Sequence, residues 1–355
     1  MRAMIVKEFR QLRRDRRTLA MMIVMPVLLL VILGYAASFD VSDIPTVVAG
    51  PGADTAAQAL PKSFKVAATN PASASPAAWA QDQLRDGHAA VAIVTGSTPG
   101  PTVLIDGSQL FTAQAALRQF VAERSGQVGT TASVSAAVGD FTTHILYNPE
   151  LKTSYIMIPG LAGVILVFVG TVITSLGVVR ERQAGTLEQL AVMPLRPADV
   201  FLGKIVPYFA VAVADLVIVL AVGVAVFGVP FRGSLAVFGL GALLFVFVTL
   251  GLGVLISSVS QTQGQAIQLA VMTMLPQVLL SGLIFPLASI VAGVRWIAYL
   301  LPLTYFTQIS RGVMLRAQPI GSLWPPFLYL ALLGLAVTAL ATWRFRAFLA
   351  PRESR

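Results

Sequence analysis

The sequence predicts an α-helical polytopic membrane protein with six transmembrane helices and an inserted extracytoplasmic α/β domain. Hydrophobic residues make up 56% of the 355-residue chain and charged residues only 12%, whereas soluble globular proteins carry about 25% charged residues. Several apolar runs reach the roughly 20 residues that a bilayer-spanning helix needs. A long polar stretch, residues 38–153, separates the first of these runs from the others.

Six apolar runs are predicted to cross the membrane. They are residues 19–37, 154–179, 205–227, 235–259, 266–285 and 323–343. An alternative interpretation of the first run is a cleaved signal peptide, since a basic head precedes it and small residues end it. The run is long for that role, and Pro26 interrupts it, as proline often does in true spans.

Lys and Arg residues place both chain ends in the cytoplasm. Segment 1–18 contains seven of them against Glu8 and Asp15, and cytoplasmic flanks of membrane helices are enriched in these cations. An even number of spans puts the tail, residues 344–355, on the same side, where four arginines agree. The stretch 38–153 then lies outside and is net acidic, with nine acids and six bases. We therefore expect a multi-pass protein of a bacterial inner or plasma membrane.

Segment 1–18 is also predicted to be an amphipathic helix on the cytoplasmic membrane surface. Ile5, Phe9 and Leu12 share one face at helical spacing, while arginines occupy the other and can meet anionic lipid headgroups. The same helix would serve either as a basic anchor or as a contact for a partner protein.

The outer stretch is predicted to alternate short strands and helices, which favours an α/β domain. The predicted strands are residues 46–49, 64–68, 89–94 and 102–105, and the predicted helices are 53–60, 76–84 and 108–124. Asp106-Gly107-Ser108 has the composition of a strand-to-helix turn with a helix cap, and a ligand contact is the alternative. Residues 126–137 form either a linker or a continuing helix.

Small and ionisable residues within the spans indicate where helices approach each other or where a substrate passes. Gly163, Gly170 and Gly177 recur every seven residues in the second span, close to Thr174, and they either allow close helix packing or line a path. Asp215 is the only acid within a predicted span, and such an acid is a functional-site hypothesis by default. Three roles stay open for it: a hydrogen bond or ion pair within the bundle, a substrate contact, and proton coupling.

The fifth span contains Pro276 and Gln277, and segment 286–322 follows it with apolar runs too short to cross independently. A re-entrant or interfacial segment on the outer side is therefore expected. Irregular backbone at that depth needs cover from protein or a water-filled cavity. Arg311 and Arg316 make this outer segment a mild exception to the positive-inside pattern.

The sequence contains no arrangement that predicts enzymatic catalysis. It has no cysteine and only two histidines, His88 and His144, and no His, Asp and Glu residues have metal-ligand spacing. Gly203-Lys204 lacks the earlier glycine and the following Ser or Thr of a nucleotide-binding P-loop. The charges that give the net charge of +9 are distributed as the membrane topology predicts, so they do not indicate nucleic-acid binding. We therefore expect no cofactor or metal bound by this chain and no nucleic-acid partner.

The island, residues 180–204, is a charged loop with glycine and proline between the second and third spans. Residues 184–192 can form a short helix with Leu187 and Leu190 on one face. At the cytoplasmic mouth, such a helix either fits a groove of another protein or contacts lipid headgroups alone.

The island resembles the cytoplasmic loop of the ABC-2 type transporter permeases. The matching residues are Glu181, Gly185, Thr186, Glu188, Leu190, Pro194, Pro197, Gly203 and Lys204. Gln183 stands where the family pattern has a second acid. Further matches are residues 7–19, and residues 281–286 followed by 301–306 and Arg311-Gly312.

This resemblance implies the permease subunit of an ABC exporter of the multidrug or lipid type. Two permeases, identical or paralogous, would join two cytoplasmic ABC ATPase subunits that use ATP and Mg, and the loop helix would act as a coupling helix. The residues assigned to ATPase coupling are Glu181, Gly185, Thr186, Leu187, Glu188, Leu190, Pro194, Arg13, Arg14 and Arg17. The candidates for the transport path are Gly163, Gly170, Thr174, Asp215, Pro276 and Gln277, because the second and fifth spans commonly line the path in this family.

The expected cargo is an amphipathic small molecule, drug or lipid, moved out of the cytoplasm or the inner leaflet. One alternative is an ABC-type mechanotransmission protein that drives its outer domain without transport. A second is a proton-coupled secondary transporter that uses Asp215. The second alternative predicts internal repeats, and the sequence shows none.

Overall fold

The computed structural model describes residues 43–97, 100–124, 141–184 and 197–349. The predicted surface helix 1–18, the first predicted span, residues 185–196 of the island and the last tail residues lie outside these ranges, so the hypotheses about them stay predictions. The described residues form a five-stranded sheet with three helices, followed by a helical bundle.

The sheet is mixed, with its two longest strands at neighbouring positions. Its strands β1 (Ile44–Ala49), β2 (Phe64–Asn70), β3 (Val91–Val94), β4 (Thr102–Asp106) and β5 (Thr142–Leu146) lie in the order β2-β1-β3-β4-β5. Only β3 and β4 pair antiparallel; the other neighbours are parallel. The four predicted strands fall on β1 to β4, and β5 was not predicted. The side of the membrane on which the sheet lies stays a prediction.

Helices cover both faces of the sheet. They are α1 (Ala53–Ala59), α2 (Pro76–Arg85) and α3 (Leu110–Arg124). Successive side chains of a strand point to opposite faces, so Val47 packs in a cluster with Leu84 of α2, whereas Val48 packs with Ala53 of α1 and Phe120 of α3. Burial on both faces explains why β3 is a continuous apolar run, and why five of the six residues of β1 are buried without alternation.

The bundle begins where the sheet ends. Its elements are α4 (Thr153–Val167), a π-helical segment (Phe168–Ile173), α5 (Thr174–Gln183), α6 (Pro197–Ala225), α7 (Leu235–Val259), α8 (Gln263–Leu280), α9 (Ala292–Ala298), α10 (Pro302–Met314) and α11 (Ile320–Leu349). Asn148 links the two parts: its Oδ1 accepts from the Lys152 amide at 2.9 Å, and its amide donates to Lys152 O at 3.1 Å. We call the continuous stretch Thr153–Gln183 the span-two rod.

Four helices among the described residues are long and apolar enough to cross a membrane. They are Thr153–Gln183, Tyr208–Ala225, Leu235–Val259 and Ile320–Arg344, and they coincide with the second, third, fourth and sixth predicted spans. The fifth predicted span corresponds to α8, which is not one of the four: it has 18 residues, and four of them are glutamines. The described residues therefore establish four candidate spans, and the count of six stays a prediction.

Helix α7 lies at the centre of the bundle. Phe238 and Phe245 are fully buried on it, and the ring of Phe245 stacks on Phe306 of α10 at a centroid distance of 4.5 Å. Helix α6 is different, because large apolar side chains such as Val217 and Ile218 are 59% exposed. Apolar exposure on a helix of this hydropathy is what a lipid-facing surface requires.

Segment 286–322 contains short helices, as expected for chain that does not cross alone. A 3₁₀ turn (Leu287–Ser289) and α9 precede α10, which has 13 residues and is almost entirely buried. Arg311 of α10 donates from both terminal nitrogens, to the carbonyls of Gly282 and Leu283, each at 3.0 Å. These bonds satisfy two carbonyls of the turn that follows α8.

Candidate functional site

The three glycines of the span-two rod each make a close contact with a different helix. A Cβ added at Gly163 would lie 2.8 Å from a ring carbon of Phe306 on α10, and one at Gly170 would lie 2.6 Å from Thr249 Cβ on α7. At Gly177 it would overlap the hydroxyl of Tyr208 on α6. Small residues allow this approach of backbones within lipid. The structure therefore uses the stripe for packing, and its role in a transport path belongs to the proposal below.

The crossing of the rod with α7 lies at the π-helical segment. Gly253 of α7 sits directly against the carbonyl of Gly170, and Thr174 Cβ is 2.9 Å from the position of a Cβ on Gly253. Thr174 is fully buried, and its hydroxyl has no hydrogen-bond partner within the described residues. A single π turn inside a long helix often occurs at functional sites.

The remaining path candidates lie on α8 and α6. Pro276 stands inside α8, and Gln277 is fully buried with its Oε1 unpartnered among the described residues. Helix α8 packs against the rod through an apolar cluster that contains Val172 and Ala270. Asp215 on α6 is half-buried, and the described residues offer it no hydrogen bond or ion pair. Its three possible roles stay open.

The described beginning of the island is bound to the loop between α7 and α8. Arg182 Nη1 donates to the carbonyl of Ser260 at 2.6 Å, and Gln263 Nε2 donates to Gln183 Oε1 at 2.9 Å. Thr262 caps α8 by accepting from the Gln265 amide at 3.3 Å. The amide at position 183 thus bonds to another amide where the resembling family has an acid. A displacement of the island would pull on the first turn of α8.

We expect the change Arg182→Met to loosen this loop. A hydrogen bond from a charged group contributes about 1.5–3 kcal/mol, and Arg182 is partly exposed, so a loss of about 1 kcal/mol is expected, or roughly fivefold faster exchange. Hydrogen–deuterium exchange of the amides in 260–266 measures it. The matched control is Arg180→Met, because Arg180 lies in the last turn of the same helix and is exposed. Equal exchange in both variants would contradict the expected role.

Of the residues assigned to ATPase coupling, only Glu181 lies in the described ranges, where it is half-buried at the end of α5. The others, Gly185, Thr186, Leu187, Glu188, Leu190, Pro194, Arg13, Arg14 and Arg17, lie outside those ranges. Their assignment is therefore a proposal that rests on the sequence.

The opposite end of the bundle carries an ion pair that the sequence does not predict. Asp106 is fully buried at the end of β4, and its Oδ1 accepts from the Ser108 amide at 2.9 Å, which confirms the predicted turn. Arg316, which precedes α11, lies 3.5 Å from Asp106 Oδ2. The only sequence signal for this pair was the presence of Arg311 and Arg316 in the predicted outer segment, where the positive-inside pattern does not expect arginines. Among the described residues, no group of His, Asp and Glu could hold a metal ion.

Comparison with known proteins covers the sheet and the bundle together. Residues 16–343 match the family model described as ABC-2 family transporter protein. The chain is 28% identical over 341 residues to the probable multidrug ABC transporter permease YbhS of Escherichia coli, covering 89% of each chain. It is 36% identical over 198 residues to the probable multidrug ABC transporter permease YbhR of the same organism, covering 55% of this chain and 54% of YbhR. The chain therefore spans about half the length of that relative.

A third relative is the inner membrane transport permease YhhJ of Escherichia coli, which is 29% identical over 262 residues, or 72% of this chain and 69% of YhhJ. The family match runs from ahead of the first predicted span to the end of the last one, and it includes all four candidate spans of the structure. The chain belongs to the ABC-2 family of transporter permeases.

Proposed function

We propose that this chain is the membrane-spanning permease subunit of an ATP-binding cassette exporter. It moves an amphipathic small molecule, drug or lipid out of the cytoplasm or the inner leaflet, and a separate ATPase subunit hydrolyses the ATP. Family membership supports the transporter class, and the printed names of two relatives support a multidrug cargo. The sequence printed here has no P-loop, and in this proposal a separate subunit supplies the nucleotide site.

The observation that carries the proposal is the attachment of the island to α8. Arg182 and Gln183 hold the loop that starts α8, through bonds of 2.6 and 2.9 Å, and α8 carries the path candidates Pro276 and Gln277. A coupling helix that follows these two residues would transmit ATPase movement to α8 through them. In this proposal the island and both termini face the cytoplasm, six helices span the membrane, and a second permease copy or paralogue completes the path.

The experiment is co-purification of the chain with P-loop ATPases encoded beside its gene. Replacing Thr186, Glu188 and Leu190 by alanine is expected to weaken retention of the ATPase at least about 30-fold, since contact residues at the centre of an interface contribute about 2 kcal/mol or more each. ATP-driven uptake of candidate compounds into inverted vesicles should fall in parallel. Arg344→Ala is the control, because Arg344 is exposed in the last third of α11, on the same proposed side. Unchanged retention by the triple variant would contradict the proposal.

One observation favours a second function, mechanotransmission to the outer domain. The buried pair Asp106–Arg316 and the bonds of Asn148 fix the sheet to the helices, so movement of the spans would reach the sheet. The vesicle assay separates the two functions. If the rate of ATP hydrolysis depends on the outer domain while no cargo accumulates in the vesicles, mechanotransmission is favoured.

A further inference from the structure

A cavity lies between the sheet and the bundle, at the end of the molecule opposite to the island. Its volume is about 410 Å³, which is in the range of small-molecule sites. The sheet part contributes Ser108 and Phe111, the turn after α8 contributes Ser281 and Leu283, and α10 contributes Thr307. The cavity therefore has walls from parts of the chain that are distant in sequence.

One wall of the cavity is cationic. Arg311 and Arg316 both line it, and Asp106 is the single carboxylate paired with either of them among the described residues, through Arg316 at 3.5 Å. Asp86 also lines the cavity and lies 3.4 Å from Nε of Arg85, which it shares with the exposed Asp82. Burial lowers the pKa of Arg311 to about 10, which leaves its guanidinium charged at neutral pH. Arg311 thus lines the cavity without a carboxylate partner of its own among the described residues.

The same wall holds polar atoms that lack partners. Among the described residues, four buried side-chain polar atoms without a hydrogen bond belong to residues that line the cavity: Ser281 Oγ, Thr307 Oγ1, Arg311 Nε and Arg316 Nε. All four can donate a hydrogen bond. Buried donors are normally paired, and leaving one unpaired is unfavourable. Four at one cavity indicate an acceptor-rich partner outside the described residues.

The rest of the lining is apolar. Leu283, Leu287 and Leu323 face the cavity together with Pro325 and Pro326 at the start of α11. A free inorganic anion would leave this surface uncovered, whereas a hydrocarbon chain would bury it, at a gain of about 25 cal/mol per Å².

We propose that this cavity binds the phosphate or carboxylate group of an amphipathic molecule, with its apolar chain along the leucine and proline wall. Acceptor oxygens of the head group would pair with the free donors of Thr307 and Ser281 and would balance the charge of Arg311. The proposal goes beyond the transport function and does not require that the bound molecule is the cargo.

The first test uses the full chain in phosphatidylcholine nanodiscs, with thermal unfolding followed by tryptophan fluorescence. Dodecyl phosphate is expected to raise the Tm in a saturable way, whereas dodecanol and inorganic phosphate are not. Nanodiscs that contain phosphatidylglycerol distinguish the sources: if they raise the Tm and remove the further shift with dodecyl phosphate, a lipid head group is the occupant. If dodecyl phosphate still raises the Tm in nanodiscs that contain phosphatidylglycerol, a free amphiphile is the occupant. Equal shifts with dodecanol or with inorganic phosphate, or no shift with dodecyl phosphate, would overturn the proposal.

Variants locate the binding. Thr307→Val keeps the side-chain shape and removes one unpartnered hydroxyl, and the double change Asp106→Asn with Arg316→Gln removes the charge pair while leaving polar groups. Each is expected to weaken dodecyl phosphate at least about tenfold, the factor for one hydrogen bond to a charged group. Ser310→Ala on the same helix is the control, because its hydroxyl already donates to Thr307 O at 3.2 Å, and it should bind as the wild type does. If the double variant does not fold, Thr307→Val alone decides; wild-type affinity in the folded variants would overturn the site.

Discussion

The change Gly253→Ala is expected to lower the free energy of unfolding by about 2–3 kcal/mol, the upper part of the range for overpacking a tight core. The added Cβ would press directly on the carbonyl oxygen of Gly170, and Thr174 Cβ would be only 2.9 Å away. A backbone carbonyl inside the π-helical segment cannot rotate aside as a flexible side chain can. The rod and α7 would have to separate at their crossing.

Thermal unfolding of the purified chain in nanodiscs measures this loss. Gly239→Ala is the matched control: Gly239 lies on the same helix, and a Cβ there would meet nothing within 4 Å. Alanine has the higher helix propensity, by about 1 kcal/mol, so the control should be neutral or slightly stabilising. If both variants unfold at the same temperature, the crossing is looser than the structure shows.

The change Asp106→Ala should destabilise the chain by about 3–5 kcal/mol, because it leaves a buried cation without its partner. The side chain of Asp106 is 0% exposed and that of Arg316 10% exposed. The same substitution removes the bonds from the Ser108 amide at 2.9 Å and from Gln109 Nε2 at 3.2 Å. The loss therefore affects both the turn and the attachment of the sheet to the bundle.

A surface ion pair in the same sheet part is the control for that prediction. Asp82 lies 3.0 Å from Arg85, with both side chains 40% or more exposed, and exposed pairs contribute about 0–1 kcal/mol. Asp82→Ala should therefore shift the Tm little. The combined change Asp106→Asn with Arg316→Gln should cost less than Asp106→Ala, since no buried charge stays unpaired. If the double variant loses more stability than Asp106→Ala, an unpaired charge on Arg316 is not the cause of the loss, and this prediction is wrong.

Local sequence patterns were sufficient to predict the elements that depend only on neighbouring residues. Strands β1 to β4 and the spans at 154–179 and 235–259 follow from apolar runs, and the turn at Asp106 follows from Asx chemistry. Strand β5 was missed because Thr142–Leu146 is only half-buried at a sheet edge, so its pattern is weak. Helix α8 was predicted as a span because residues 266–285 are mostly apolar. The helix itself begins at Gln263, and its four glutamines make it more polar than the four candidate spans.

Contacts between distant residues could not be predicted in this way. Asp106 and Arg316 are separated by 210 residues, and nothing near either of them specifies the other. The glycine stripe of the rod was visible in the sequence, but its three partners, α10, α7 and α6, depend on how the whole bundle folds. The cavity is hidden for the same reason, because segments that are far apart in the sequence form it.

The length of the span-two rod has a mechanical consequence. Its 31 residues, at a rise of about 1.5 Å each, extend about 46 Å, whereas the hydrocarbon layer of a bilayer is about 30 Å thick. A helix of this length reaches well past the lipid tails at one or both ends. We expect it to transmit movement as a rigid rod, with one end bonded near the sheet at Asn148 and the other carrying the island. A tilt of a few degrees in the membrane would swing both ends at once, in opposite directions.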